Sequence, residues 1–254
     1  VTTNLTGKIA MVTGASAGLG RYFAEVLAEA GATVIACARR KDSLDELVRE
    51  LENRNLSCRA IAMDVTDPAS VANAFGQIEA LTGGTLDILV NNAGAAQTKP
   101  AIDLTEEDWN SIINLNLSGV FRGAQAAARQ MIAAGKPGAI VNIASILGLH
   151  VAQSLSSYAA SKAGVIHLSK ALALEWARHN IRVNVIAPGY VVTDMNRDLF
   201  ASPLGHKMVE RIPTRRLGEL EHLAAPLLLL CGEGARHMTG SVIVVDGGHS
   251  IRSL

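Results

Sequence analysis

The order of the apolar segments constrains this chain most. Short runs rich in β-branched residues alternate with longer stretches of helical periodicity from one end to the other. Ile9-Ala10-Met11-Val12 stops at Thr13-Gly14. A helical pattern follows over 18–30, with Phe23, Val26, Leu27 and Ala30 on one face. Gly31 closes it, as glycine does at many helix C-termini. Further strands are predicted at 33–37, 57–63, 86–90, 138–144, 181–187 and 241–245. The intervening helices are predicted at 43–53, 68–81, 106–134, 156–179 and 220–230, the second opening on Asp67-Pro68. Continuously apolar strands joined by single helices describe a parallel sheet covered on both faces. The expectation is therefore an α/β chain, one domain over 1–254 without a linker. Residues 189–218 are less regular and long for a compact domain, as covering segments often are.

Composition narrows the function. The 254 residues carry 23 basic and 23 acidic side chains, and aromatics make up 4%. Zero net charge argues against a broad basic face for nucleic acid. So few rings make a stacking platform for single-stranded bases an unfavoured reading. No segment reads as a membrane span, and the N-terminal residues lack the pattern of a signal peptide. Cys37, Cys58 and Cys231 are odd in number and far apart, with no Cys-x-x-Cys pair. Reduced, buried thiols in a cytoplasmic protein are expected, and no metal site is predicted.

The first strand runs into Thr13-Gly14-Ala15-Ser16-Ala17-Gly18-Leu19-Gly20. Small residues at a strand-to-helix turn let the backbone approach an anion. The helix then offers unpaired N–H groups and a positive dipole end to a pyrophosphate. Position matters here, because open α/β sheets bind ligands at the carboxyl ends of their strands. At the end of the second strand a carboxylate would accept from a ribose 2′-OH and repel a 2′-phosphate. This chain has Ala38 there, followed by Arg39-Arg40-Lys41. A guanidinium binds phosphate through paired, charge-assisted hydrogen bonds, so NADP(H) is favoured over NAD.

Tyr158 and Lys162 are four apart on a predicted helix, hence on one face. A phenol titrates near 10, and a neighbouring ammonium favours its ionised form. Lowering it by roughly two to three units asks for about 3–4 kcal/mol. Such a phenol would exchange a proton with a substrate near neutral pH. Ser145 follows the fifth strand and is placed to hold the substrate oxygen beside it. Asn91-Asn92-Ala93-Gly94 follows the fourth strand, and Asn116 lies in the next helix. Polar groups from three strand ends therefore converge on one crevice.

These segments, with Asp64-Val65 and Pro188-Gly189, resemble the short-chain dehydrogenase/reductase family in order and spacing, from Leu5 to about Gly248. The resemblance implies a Rossmann-like, doubly wound fold with a seven-stranded parallel sheet. It implies a catalytic tetrad of Asn116, Ser145, Tyr158 and Lys162. Tyr158 would be the general acid in reduction and the base in oxidation, and Ser145 would polarise the substrate oxygen. Lys162 would lower the phenol and bind the nicotinamide ribose, and Asn116 would help hold a relay water. Gly14, Ser16, Gly18, Leu19 and Gly20 would cradle the phosphates, with leucine at 19 where isoleucine is common in the family. Arg39 and Arg40 would take the 2′-phosphate, and Ala38 with Arg39 matches the NADP-preferring members. Asp64 would meet the adenine amine, with Val65 beside the ring. Asn91, Ala93 and Gly94 would line the cofactor. Pro188, Gly189, Val191 and Thr193 would border the nicotinamide, Thr193 on its carboxamide.

For the substrate, a small carbonyl compound or alcohol, the contacts expected are Ser145, His150, Tyr158, Tyr190 and Met195. Leu199, Phe200, Leu204 and Met208 suggest an apolar lid. Family members include 3-oxoacyl carrier-protein reductases and sugar-type dehydrogenases, which these motifs do not separate. A carrier protein would need a basic patch, for which Arg129, Lys136 and Arg178 are candidates. Homotetramers or homodimers are common among relatives, built on the two long helices and the last strand. One rival reading is an NAD-linked sugar or polyol dehydrogenase. Another is a catalytically silent cofactor-binding scaffold or sensor, which would have no need of both Tyr158 and Lys162. The remaining histidines, Asp194 and the acidic turn Glu106-Glu107-Asp108 read as surface or helix-capping groups.

Overall fold

The computed structural model describes residues 3–193 and 196–251. Seven strands join one parallel sheet: β1 (Ile9–Thr13), β2 (Thr33–Ala38), β3 (Cys58–Ala62), β4 (Ile88–Asn91), β5 (Gly138–Ile143), β6 (Ile181–Pro188) and β7 (Val242–Val245). Their order is β3-β2-β1-β4-β5-β6-β7, every pair parallel. The chain thus has the Rossmann-like, doubly wound sheet. The order reverses between β1 and β4, and a crevice opens at the carboxyl ends there.

The helices are α1 (Gly18–Glu29), α2 (Lys41–Asn53), α3 (Pro68–Gly76), α4 (Ile78–Thr82), α5 (Glu106–Ile113), α6 (Gly119–Ala133), α7 (Ser156–Trp176), α8 (Arg197–Ala201), α9 (Pro203–Val209) and α10 (Ala224–Cys231). Alternate side chains of one strand feed opposite layers. Ala10 and Val12 join a core with Phe23 and Leu27 of α1, Leu47 of α2 and Leu227 of α10. Ile9 and Met11 join another, with Phe75 of α3, Met131 of α6 and Leu172 of α7. Both faces are covered, so β1 is buried along its whole length. Each such large side chain contributes about 1.5–3 kcal/mol by burial.

The helix expected over 106–134 is interrupted. Between α5 and α6 lies a π-helical turn, Asn114–Ser118. The wider turn carries Asn116 inward, where it is fully buried. The helix expected over 68–81 breaks at Gln77 into α3 and α4. The one over 156–179 ends as an α-helix at Trp176, and the one over 220–230 opens as a 3-10 turn. The irregular segment 189–218 carries α8 and α9. Ser202 caps α9, accepting a hydrogen bond from the Gly205 N–H, and Pro203 starts it.

A buried polar bridge ties the central strands to α7. Asn91 Nδ2 donates to Asn142 Oδ1 at 2.9 Å, and Asn142 Nδ2 donates to Ser169 Oγ at 2.8 Å. Replacing Asn142 by alanine leaves both neighbours short of a partner and should cost about 2–4 kcal/mol. Urea unfolding checks this, and a loss below about 0.5 kcal/mol would show that the bridge adds nothing. Among the described residues no helix is long and apolar enough to cross a membrane.

Candidate active site

A cleft of about 760 Å³ opens at the reversal of strand order. The glycine-rich turn forms one wall. Gly14 has φ +70°, and a Cβ there would lie 2.9 Å from Ala93 Cα. A Cβ on Gly20 would lie 2.3 Å from Gly14 O. Any side chain at 20 would push the helix off the turn. The start of α1 has no side-chain cap at Ala17 and no acidic residue in its first turn. Ala17, Gly18 and Leu19 line the cleft. The uncapped N–H groups therefore face it with the positive dipole end, a fit for a pyrophosphate.

The β4 loop is laced to this turn. Thr13 Oγ1 accepts from the Asn92 and Ala93 N–H groups, each at 3.0 Å, and Asn92 Nδ2 donates to Thr13 O at 3.0 Å. Asn92 lines the cleft and Asn91 does not. Asn91 is still within the strand, so its side chain falls on the opposite face and enters the core. Asn91, expected to line the cofactor, enters the core instead, and Asn92 stands in the cleft, as alternation along β4 indicates. Gly20 likewise sits behind the cleft, against Gly14, rather than in its lining.

At the far end of β2 the cleft is bounded by Ala38, Arg39 and Arg40. Arg40 Nη2 donates to Ser16 Oγ at 3.1 Å. Asp64 Oδ1 accepts from the Thr66 N–H at 2.8 Å and from Thr66 Oγ1 at 2.7 Å. These bonds hold its carboxyl below the ordinary value. Val65 closes the same end. Its carbonyl accepts from Arg122 Nη1 of α6 at 3.1 Å.

Ser145, Tyr158 and Lys162 meet at the centre of the cleft. Ser145 ends the β5 turn with its hydroxyl accepting from the Leu147 N–H at 3.1 Å. Lys162 is buried, and its Nζ donates to Ile143 O at 2.8 Å. That Nζ is 5.8 Å from the Tyr158 ring centroid. Burial pushes Lys162 down to about 8. Burial also raises the Tyr158 phenol above its ordinary value, against a hydrogen bond to Ser145 that lowers it. The expected lowering of the phenol by Lys162 is therefore not produced by the protein groups alone. Burial of the phenol outweighs the Ser145 hydrogen bond, and Lys162 Nζ stands 5.8 Å from the ring centroid.

Asn116 lies behind this centre, outside the cleft lining. Its Oδ1 accepts from the Ala95 N–H at 2.9 Å, and its Nδ2 donates to Ala95 O at 2.9 Å and Ser161 Oγ at 3.1 Å. Ser161 Oγ in turn donates to Tyr158 O at 2.7 Å. Both ends of the amide are thus engaged with protein, joining the β4 loop to the turn of α7 that carries the tyrosine.

The opposite wall comes from the segment after β6. Pro188, Gly189, Tyr190, Val191 and Thr193 line it, as do Asn196 and Phe200. The Tyr190 and Phe200 rings lie 5.6 Å apart, and Phe200 is buried. Asn196 Oδ1 accepts from the Thr193 N–H at 2.8 Å and Asn196 Nδ2 donates to Val191 O at 2.9 Å, so its amide braces the wall. Met195 and Asp194 lie outside the described residues. His150 is exposed beyond the 3-10 turn that follows Ser145 and is not in the lining. The turn carries it to the surface, outside that lining. Leu199 and Leu204 of the expected lid are 46% and 61% exposed, whereas Phe200 is buried and Met208 half-buried. The three cysteines are buried, with Cys58 pushed up to about 11 and Cys231 to about 12 by burial. Among the described residues no cluster of three or more His, Cys, Asp or Glu side chains is arranged to hold a metal.

The family model for short chain dehydrogenases matches residues 8–203. The chain belongs to the short-chain dehydrogenase family. It is 38% identical over 244 residues to a 3-oxoacyl-[acyl-carrier-protein] reductase of Thermotoga maritima, covering 96% of this chain and 98% of that protein. It is 38% identical over 248 residues to a D-threitol dehydrogenase of Mycolicibacterium smegmatis, covering 98% and 95%. The crystal structure of a gluconate 5-dehydrogenase from Burkholderia cenocepacia, in complex with NADP and tartrate, superposes with a TM-score of 0.93 at 34% identity over 98% of each chain. This short-chain dehydrogenase is accordingly an oxidoreductase acting on CH–OH/C=O groups of a small-molecule substrate, with a nicotinamide cofactor.

Proposed function

We propose that this chain is an NADP(H)-dependent ketone reductase and secondary-alcohol dehydrogenase. The observation that carries the reading is one cleft with two chemically distinct ends: Arg39 and Arg40 beside Ala38 at one, Ser145, Tyr158 and Lys162 at the other. The uncapped start of α1 lies between them and fits the diphosphate. When bound, the nicotinamide supplies a hydride to the carbonyl carbon or removes one from the alcohol carbon. Tyr158 Oη gives its proton to the substrate oxygen in reduction and takes it back in oxidation. Ser145 Oγ orients that oxygen. Lys162 Nζ is the buried cation beside the reacting groups, and Asn116 holds the Tyr158 turn against the β4 loop. Thr193, Val191 and Gly189 border the ring, and the segment 189–218 covers the substrate. Trp109, Phe121, Leu174 and Val244, all exposed apolar side chains, are where a second copy of the chain would pack.

The NADP assignment rests on the guanidinium pair and on the missing carboxylate at position 38. The double substitution Arg39→Ala with Arg40→Ala should weaken NADPH binding about tenfold or more and change NADH binding less than about threefold. Fluorescence titration of both nucleotides measures this. Equal affinity of the parent chain for NADPH and NADH would contradict the assignment. An NAD-linked polyol dehydrogenase is the second reading, supported by the similarity to a D-threitol dehydrogenase. It predicts the same tyrosine chemistry with NADH bound more tightly than NADPH.

A further inference from the structure

We infer that Arg122 of α6 is a positioning residue for the proposed reaction: its guanidinium fixes the register of the π-helical turn that carries Asn116 to the Tyr158 turn. The inference rests on the oxidoreductase reading and on the place of Asn116 in it. The turn at 114–118 runs along the cleft. Leu115 lines the cleft, while the next side chain, Asn116, is buried behind it. Asn116 binds Ala95 of the β4 loop and Ser161, whose hydroxyl donates to Tyr158 O at 2.7 Å. A π-turn is rare because it must accommodate one residue more than the α-helical count.

Arg122 has the geometry to select that turn. Its Nη2 donates to Asn114 Oδ1 at 2.8 Å, across a separation of eight residues. Two turns of a regular α-helix take about seven residues. In such a helix the two side chains would stand about 80° apart around the axis. The extra residue of the π-turn brings them into line. The Gly119 N–H donates to Asn114 O in the same wide pattern, so both polar ends of Asn114 hold it.

The other arm of the fork, Nη1, donates to Val65 O at 3.1 Å. Val65 is buried at the Arg39–Arg40 end of the cleft. It packs on Gly119, where a Cβ would lie 2.9 Å from Val65 Cγ2. One planar guanidinium thus ties the start of the π-turn to the loop after β3. A lysine ammonium, a point charge without the fork, does not reproduce that pair of bonds.

The test uses the full chain and two readouts. Arg122→Met keeps the stem and removes both donors. In hydrogen exchange followed by NMR, the Ala95 N–H, held by Asn116 Oδ1, should exchange about tenfold faster than in the parent chain. The amides of Met11 and Val12 in the buried strand β1 should be unchanged. Turnover is read with methyl acetoacetate and NADPH, and with D-threitol and NADP or NAD. The kcat should fall about tenfold, with the KM of the ketone or alcohol within about twofold. Adding Arg122→Met to Asn116→Ala should lower kcat less than about twofold further, since both act through one amide. Arg122→Lys should still lose at least about threefold in kcat. Parent-like Ala95 exchange in Arg122→Met overturns the inference, as does an equal acceleration of the β1 amides. Multiplicative kcat losses in the double variant, or parent-like kcat in Arg122→Lys, also overturn it. Parent-like kcat in Asn116→Ala overturns instead the place of Asn116 in the oxidoreductase reading. If the parent chain turns over neither compound, the exchange result decides the inference alone.

Discussion

Replacing Tyr158 by phenylalanine should lower kcat about 10³-fold and leave NADPH affinity within about threefold of the parent chain. The substitution removes one oxygen and keeps the ring, so the wall of the cleft stays filled. What is lost is the proton donor facing Ser145. Steady-state turnover with fluorescence titration of the same preparation separates the two effects. Retained turnover would remove Tyr158 from the chemistry. The pH profile carries the same information with a sign. Burial raises the Tyr158 phenol, so the protonated form dominates at neutral pH. Reduction, which uses that form, should stay level from about pH 6 up to about pH 8, where Lys162 loses its proton. Oxidation, which needs the ionised form, should climb with pH from neutrality to about pH 9, by up to about tenfold per pH unit. An oxidation rate independent of pH would contradict the assignment of the proton to this phenol.

Lys162→Met should do two opposite things: abolish most turnover and stabilise the fold. Lys162 is 4% exposed, and burial lowers it from 10.5 to about 8. Its folded value lies below its unfolded one, so the unfolded chain holds the proton more tightly. The charged form is therefore a cost to folding, about 3 kcal/mol at neutral pH. That cost is complete below about pH 8 and vanishes as pH rises through 10.5. Methionine keeps the volume and removes the charge, though Ile143 O loses a donor worth about 1 kcal/mol. A net gain of about 1–2 kcal/mol at pH 7 is expected, shrinking as the pH is raised toward 10. Denaturant melts at two pH values with kcat on the same protein check it. A variant less stable than the parent at pH 7 would show that the ammonium is stabilised by its surroundings.

Much of the site was legible because its residues sit at positions that local rules define. Gly14, Gly18, Arg39 and Thr193 follow strand ends, and strand ends are visible as the close of an apolar run. Tyr158 and Lys162 share a helical face by spacing alone. Three placements depend on more than local spacing. Asn91 is still inside a strand and alternates into the core. His150 is near Ser145 in sequence, but a 3-10 turn intervenes and leaves it exposed. For Asn116 the π-turn at 114–118, not a regular helix, decides where its amide goes.

The sequence by itself determined the alternation of strands and helices, the parallel sheet and the residues at its strand ends. Each of these follows from short-range periodicity and from the conformational limits of single residues. Only the tertiary structure decided which of those residues share solvent and which share a core, since that depends on strand order and on side-chain direction. It also decided the protonation balance of the site. Lys162 is buried against β5 and the β4 loop, elements far apart in the chain, and Tyr158 is half-buried beside it. Their desolvation, which holds the phenol up and the ammonium down, exists only once those elements close around them.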